Sequence, residues 1–380
     1  MPQKLATSLA PRRGGAATDI SKGPLKTARK TQPTIARTAL VVNPNSGGGL
    51  TGKDWDALYI KIKAILGDNL KVAFSKKAGD ATTLTRKFLK SGFTTVVAIG
   101  GDGTINEVAN GFFEDTKGSY GIRPAIKQGK AAISSHSEGA VPSPSVLKPI
   151  NPHAIMAVLP CGTRNVLAKS LDLPEGVVEC CQCFSAGKTR KIDVISATVT
   201  NANDHSTRST RIFLNAAEIG LGAEIIDRSK TIRKVVNSRI VSTITSILAT
   251  LPSYQSNECE VVLEGRQGRQ RKIVSKMTIG IVANGRFLGG GFEAAPKADM
   301  SDGLLDVLIL KDSGSLKMLY ELGSMRDGDY KVEGNMIYRQ SRKVSFAPKE
   351  RDVTVTIDGE PIGILPATFE VIHNALSLKM

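Results

Sequence analysis

No stretch of this chain approaches the roughly 20 consecutive apolar residues that span a bilayer. The longest candidate, Ile240 to Leu251, is broken by Ser242, Thr243, Thr245, Ser246 and Thr250. No transmembrane segment is therefore expected, and any membrane contact must be peripheral. Aromatic residues are scarce, at 5%, and neither a stacking platform nor a recognition-helix motif is present. That argues against nucleic acid as a partner. The five cysteines are odd in number and irregular in spacing. Cys180, Cys181 and Cys183 cluster, yet no second Cys/His pair stands at finger-like spacing, which excludes a zinc finger and a secreted disulfide scaffold. Reduced structural thiols in a cytoplasmic protein are expected.

The 380 residues present are enough for two domains with separate cores. A net charge of +16 favours anionic partners, meaning nucleotides and acidic lipid surfaces. Part of that excess sits at the start, where residues 1–38 hold eight Lys or Arg against one acid, Asp19. Residues 1–36 read as a disordered basic tail. It serves as a solubilising extension, as a tether to anionic lipid or, in a eukaryote, as an organelle-targeting segment.

From Thr38 the texture becomes ordered. Thr38–Val42, Val72–Phe74, Thr94–Ile99 and Ile155–Leu159 read as short apolar strands, and helices are expected at about Asp54–Leu66 and residues 80–91. Such alternation predicts a parallel sheet with ligand loops at the strand C-termini. Residues 114–150 lose all periodicity and read as a flexible insertion. Beyond Lys191, alternating segments at Ile192–Val199, Arg211–Asn215, Glu258–Leu263, Lys276–Ala283, Leu305–Leu310 and Val353–Ile357 predict a mainly β sandwich. One helix interrupts it, with apolar residues from Ile225 to Leu251 at helical spacing and a basic face of Arg228, Lys230, Arg233, Lys234 and Arg239. That face is either the solvated side of a core helix or a membrane-surface element.

The most telling stretch joins the Thr94–Ile99 strand to Gly100-Gly101-Asp102-Gly103-Thr104 and the helical pattern that follows. Glycines let backbone N–H groups approach a phosphate, and a helix N-terminus favours an anion. A carboxylate inside such a site makes sense if Asp102 handles Mg²⁺ or takes a proton from a nucleophile. Phosphoryl transfer is the implied chemistry. A second glycine run, Gly47 to Lys53, fits a P-loop except that Asp54 replaces the Mg²⁺-binding hydroxyl, so it is read as a different turn.

Asn43-Pro44-Asn45-Ser46-Gly47, Gly100 to Val108, Pro160-Cys161-Gly162-Thr163-Arg164-Asn165, Asp299 to Val307 and Ile357-Asp358-Gly359-Glu360 stand in the order of the motifs of the diacylglycerol kinase catalytic-domain family. The chain resembles that family, which includes sphingosine and ceramide kinases and soluble bacterial lipid kinases, over about residues 38–112 and 152–375.

The resemblance implies a Rossmann-like ATP-binding domain over 37–190, carrying the 114–150 insertion, and a β-sandwich lipid-substrate domain over 191–380. ATP would be held by Asn43, Pro44, Asn45, Ser46, Gly47, Gly100, Gly101, Asp102, Gly103, Thr104, Asn106 and Glu107, with Thr163 from the third loop. Asp102 and Glu360 would be catalytic, Glu360 as general base. Asp302, with the main-chain oxygens of Asp299 and Leu304, resembles a structural Mg²⁺ site. The implied activity is ATP- and Mg²⁺-dependent phosphorylation of diacylglycerol or a similar long-chain lipid at an anionic membrane surface, by a cytoplasmic, peripherally associated enzyme; a homodimer is compatible with it. NAD kinase, or a non-catalytic lipid- or nucleotide-binding protein of the same fold, is the alternative. One departure stands out. The family often has Asn-Asp after the Gly-Thr element, whereas Val166 follows Asn165 here.

Overall fold

The computed structural model describes residues 37–114, 123–124, 147–225, 245–247, 249–289, 291–326 and 328–380. The basic tail, most of the 114–150 insertion and the basic run from Arg228 to Arg239 lie outside the described residues.

The first half builds a parallel sheet from β1 (Thr38–Val42), β2 (Leu70–Phe74), β3 (Thr95–Gly100) and β4 (Ile155–Pro160), in the order β2-β1-β3-β4. Its helices are α1 (Trp55–Leu66), α2 (Asp80–Lys90), α3 (Asp102–Gly111), α4 (Val166–Ser170) and α5 (Val177–Ala186). β1, β3 and β4 are short apolar runs because both faces are covered, whereas the edge strand β2 leaves Lys71 and Phe74 exposed. Leu40, Val42, Val97 and Ile99 share one core with Ile62 of α1 and Cys180 and Cys181 of α5. Ala39, Val41, Val96 and Ala98 turn the other way, toward Ala81, Leu89, Ile105 and Val108 of α2 and α3. Because β1 lies between β2 and β3, the chain reverses direction of winding there, and the loops after β1 and β3 part to leave a crevice.

The second half is antiparallel: β5 (Thr189–Thr200), β6 (Thr207–Phe213), β7 (Ala216–Gly220), β8 (Asn257–Glu264), β9 (Gln270–Ala283), β10 (Leu305–Lys311), α6 (Ser315–Arg326), β11 (Met336–Ser341), β12 (Lys343–Pro348), β13 (Thr354–Ile357) and β14 (Glu360–Lys379). Two long strands serve both layers of this mainly β sandwich. The first part of β9 pairs with β8 and its second part with β7 and β10; β14 pairs in turn with β13 and β12. Between the layers, Phe213 and Phe346 meet Phe369 edge-to-face at 6.2 and 6.1 Å. The end of β14 also pairs parallel with β4, at Ser377–Ile155 and Leu378–Met156, so the last strand completes the edge of the parallel sheet.

The α/β-then-β-sandwich class expected from the sequence is the one observed. Several elements lie beyond the periodicity reading: α4, α5, β7, α6, β11, β12 and the full length of β14. Register shifts between Ile364 and Ala367 and between Ile372 and Leu376 break the alternation of β14. In α6, Met318, Leu322 and Met325 are buried while Leu316 and Tyr320 are exposed, which blurs the apolar stripe. The 114–150 insertion is clasped at its base, where Glu114 N–H donates to Lys148 O and Ile150 N–H to Phe112 O. Arg123–Pro124 pairs with Arg208 and Thr207 of β6, so part of the expected flexible loop is strand.

Candidate functional site

Three loops leave the C-terminal ends of β1, β3 and β4 side by side. The first is folded on itself: Asn43 Oδ1 accepts the Asn45 N–H at 3.0 Å, and Ser46 Oγ donates to Asn43 O at 2.6 Å. Asn43 Nδ2 reaches the second loop and donates to Thr104 Oγ1 at 2.9 Å. The second and third loops touch backbone to backbone. A Cβ on Gly162 would lie 2.4 Å from Gly101 Cα, so only glycine allows this approach.

Asp102 opens α3 and is half-buried. Its Oδ1 accepts the Leu167 N–H of α4 at 3.1 Å. Burial lifts the Asp102 carboxyl above the ordinary carboxylate value, against the opposing pull of the Leu167 N–H and the Arg164 guanidinium. Across from it, the Asp358-Gly359 turn joins β13 to β14, with φ of 44° and 80° at the two residues. Positive φ at both central positions is the hairpin geometry that Asp-Gly favours. Asp358 fixes that turn to the rest of the site. Its Oδ2 accepts from Asn106 Nδ2 at 2.8 Å and Leu214 N–H at 3.1 Å; Oδ1 accepts from Asn215 and Ala216 N–H at 3.0 and 3.1 Å. Burial raises the Asp358 carboxyl, and these donors oppose the rise.

A cavity of about 150 Å³ opens between these parts. Its wall includes Gly101, Asp102, Gly103, Asn106, Thr163 and Arg164 from the first half, and Glu218, Asp358, Gly359 and Glu360 from the second. It is smaller than the roughly 300–1,000 Å³ of a drug-sized ligand site, so it encloses reacting groups rather than a whole substrate.

Asp102, Asn106, Thr163 and Glu360 therefore converge, with the backbone of Gly101 and Gly103. Asn43 to Gly47, Gly100 and Thr104 do not line the cavity, and Asn43 joins the second loop through its hydrogen bond to Thr104. Asn106 directs its amide to Asp358 and to Ile212 O at 3.1 Å, tying α3 to the sandwich. Glu107 turns to α2, where its two carboxylate oxygens accept the N–H groups of Gly79 and Ala81 at 2.8 and 3.1 Å. It caps that helix. Glu107→Ala is expected to cost about 1–2 kcal/mol of stability, the usual loss of a helix cap, in urea unfolding. The KM for ATP should stay within about twofold of wild type; a raised KM at unchanged stability would instead place Glu107 on the nucleotide.

Among the described residues no three Asp, Glu, His or Cys side chains converge on a cation position. The 299–304 loop offers oxygen donors of another kind. Asp302 Oδ1 accepts the Leu304 N–H at 2.9 Å, Asp299 Oδ1 pairs with Arg190 at 2.8 Å, and Arg266 donates to Asp302 O at 2.8 Å. Buried Asp193 anchors the loop through Gly303 N–H at 2.7 Å. Burial first, then the nearby Asp299 and Asp193 carboxylates, raises the Asp302 carboxyl. Carboxylate and main-chain oxygens are the donor type a hard divalent cation takes, and here Asp299 and Asp302 already have Arg190, Arg266 and the Leu304 N–H as partners.

Residues 37–197 match the family described as "Diacylglycerol kinase catalytic domain", and residues 216–380 match the "YegS C-terminal NAD kinase beta sandwich-like domain". These two matches bear out the resemblance to the diacylglycerol kinase catalytic-domain family that the motifs carry. The chain is similar to "Diacylglycerol kinase" of Bacillus subtilis (strain 168), with 23% identity over 350 residues, 91% of this chain and 97% of that protein. It is 27% identical to "Lipid kinase YegS" of Escherichia coli (strain K12) over 337 residues, 87% of this chain and 94% of that one. The crystal structure of a diacylglycerol kinase from Bacillus anthracis str. Sterne shares the fold, with a TM-score of 0.59 at 18% identity, over 92% of this chain and 98% of that chain.

The sequence did not single out Glu218, Asp358 or Asn215 as site residues. Glu218 is buried in β7 and accepts from Thr356 Oγ1 at 2.9 Å. A lone acid in an apolar strand is the signal that could have found it. Asp358 was legible as a turn residue only.

Proposed function

We propose that the chain is an ATP- and Mg²⁺-dependent kinase acting on the hydroxyl of diacylglycerol or a related long-chain lipid, a transferase of phospholipid metabolism. The observation that carries this reading is that Asp102 and Glu360, 258 positions apart, line one cavity beside the open N–H groups at the start of α3. The terminal phosphate of ATP sits against the Gly101–Thr104 backbone, where the helix N-terminus favours negative charge. Phosphoryl transfer needs alignment and charge neutralisation more than covalent help. A primary alcohol is a weak nucleophile, and the Glu360 carboxylate takes its proton as the bond to phosphorus forms. The rigid Asp358 clamp holds Glu360 at that position. Asp102 would hold the nucleotide's Mg²⁺, and Asp302 with the main-chain oxygens of Asp299 and Leu304 a second one; bound metal supplies charge neutralisation.

Among the described residues no helix is long and apolar enough to cross a membrane. The lipid is met at an anionic surface by a peripherally bound, cytoplasmic enzyme, drawn there by the net charge of +16. Incubation with labelled ATP, a total lipid extract and, separately, NAD tests the reading. Label in a long-chain alcohol lipid such as diacylglycerol supports it. Label in NAD alone turns the reading to NAD kinase, and ATP binding with no transfer turns it to a non-catalytic binding protein.

A further inference from the structure

Arg164 is the one cationic side chain on the cavity wall among the described residues, and it shares that wall with four acids, Asp102, Glu218, Asp358 and Glu360. It is half-buried, and its guanidinium makes no hydrogen bond or ion pair among the described residues. The group reaches from the β4–α4 loop across to the second half of the chain. A Cβ on Gly289 would lie 2.9 Å from Arg164 Nη1, and one on Gly359 3.6 Å from it. Two glycines thus leave room for the fork beside the Asp358-Gly359-Glu360 turn, within Coulombic range of Asp102. Asp358 has four donors of its own and Glu218 has the Thr356 hydroxyl, so neither depends on Arg164 for a hydrogen bond. A phosphate entering among four carboxylates needs a cation at this spot, and a planar fork of N–H donors matches phosphate oxygens in pairs.

We propose that Arg164 is a catalytic residue that grips the γ-phosphoryl group of ATP during transfer. The inference rests on the kinase reading above. The alcohol oxygen of the lipid bonds to the γ-phosphorus. The bond from that phosphorus to the β–γ bridging oxygen breaks, its electron pair leaves with ADP, and the alcohol proton passes to Glu360. Arg164 donates to the non-bridging γ-oxygens throughout, most strongly when charge spreads over them in the transition state.

The test compares wild type with Arg164→Ala, Arg164→Lys and Gly289→Ala, using ATP and ADP titrations by calorimetry alongside turnover on dispersed diacylglycerol. Arg164→Ala should lower kcat about 100- to 1,000-fold, the range seen on removing one transition-state donor. It should weaken ATP binding about tenfold, as expected for a lost charged hydrogen bond, and leave ADP binding unchanged. Arg164→Lys should recover less than a tenth of the lost rate, because an ammonium cannot pair two oxygens in a plane; free guanidinium should restore part of it in the alanine variant. Gly289→Ala, which displaces the fork, should lower kcat in the wild-type background but not in Arg164→Ala. Equal loss of ATP and ADP affinity, or kcat within about threefold of wild type, overturns the proposal. If wild type labels no lipid while the ATP-over-ADP preference still disappears with Arg164, the kinase reading fails and the phosphate contact stands.

Discussion

Asp102→Asn is expected to lower kcat by about 1,000-fold, as for loss of a group that handles either the metal or a proton in the transition state. The fold should survive, because an asparagine oxygen can still accept the Leu167 N–H that Asp102 Oδ1 accepts at 3.1 Å. Stability should move the other way. Burial raises the folded-state pKa of Asp102 above its ordinary value, so the native state binds the proton more tightly than the unfolded chain. Stability from this group is fully present below the ordinary carboxylate pKa and is lost as pH rises through the raised one. At neutral pH the ionised carboxylate is a cost, and Asp102→Asn should melt higher than wild type. That advantage should vanish in acid below the ordinary value. A variant with wild-type kcat would remove Asp102 from the chemistry, and one that melts lower at neutral pH would contradict the burial account.

Glu360→Gln is expected to reduce kcat about 100- to 10,000-fold, the span typical of a lost general base. The residue is exposed at the first position of β14, so melting temperature should stay close to wild type. It stands on the opposite side of the cavity from the glycine loop, so ATP affinity should also hold. The signature is thus a fall in kcat with KM for ATP unchanged, the mark of an interaction made only in the transition state. A proportionate rise in KM for ATP would instead place Glu360 on the nucleotide. Unchanged turnover would transfer the base role to another carboxylate on the wall, with Glu218 the next to test.

What could be read in the sequence follows from which interactions leave a local pattern. The inner parallel strands were legible because each is a short apolar run buried on both faces, and only the apolar part of the edge strand β2, Val72–Phe74, was read. The Gly100–Thr104 loop was legible because its backbone geometry demands particular residues, and the Ile357–Glu360 stretch because it stands in the order of a family's motifs. The role of Asp358 was hidden: three of its four donors are main-chain N–H groups of Leu214, Asn215 and Ala216, which carry no side-chain signature. The partners of Glu107 were hidden for a related reason: it stands inside the glycine motif, yet its carboxylate accepts N–H groups at the N-terminus of α2, and only tertiary packing decides which donors it meets. The long strand β14 escaped because bulges at two points defeat a period-2 pattern.

The central claim is that the terminal phosphate of ATP lies in the cavity where the Gly101–Thr104 loop, Arg164 and the Asp358–Glu360 turn meet. A crystal structure with a non-hydrolysable ATP analogue and Mg²⁺ tests this most directly. The account requires the terminal phosphate within hydrogen-bond reach of the loop N–H groups and the Arg164 guanidinium, with Glu360 facing it. A nucleotide bound elsewhere, with that cavity holding only solvent, would contradict it.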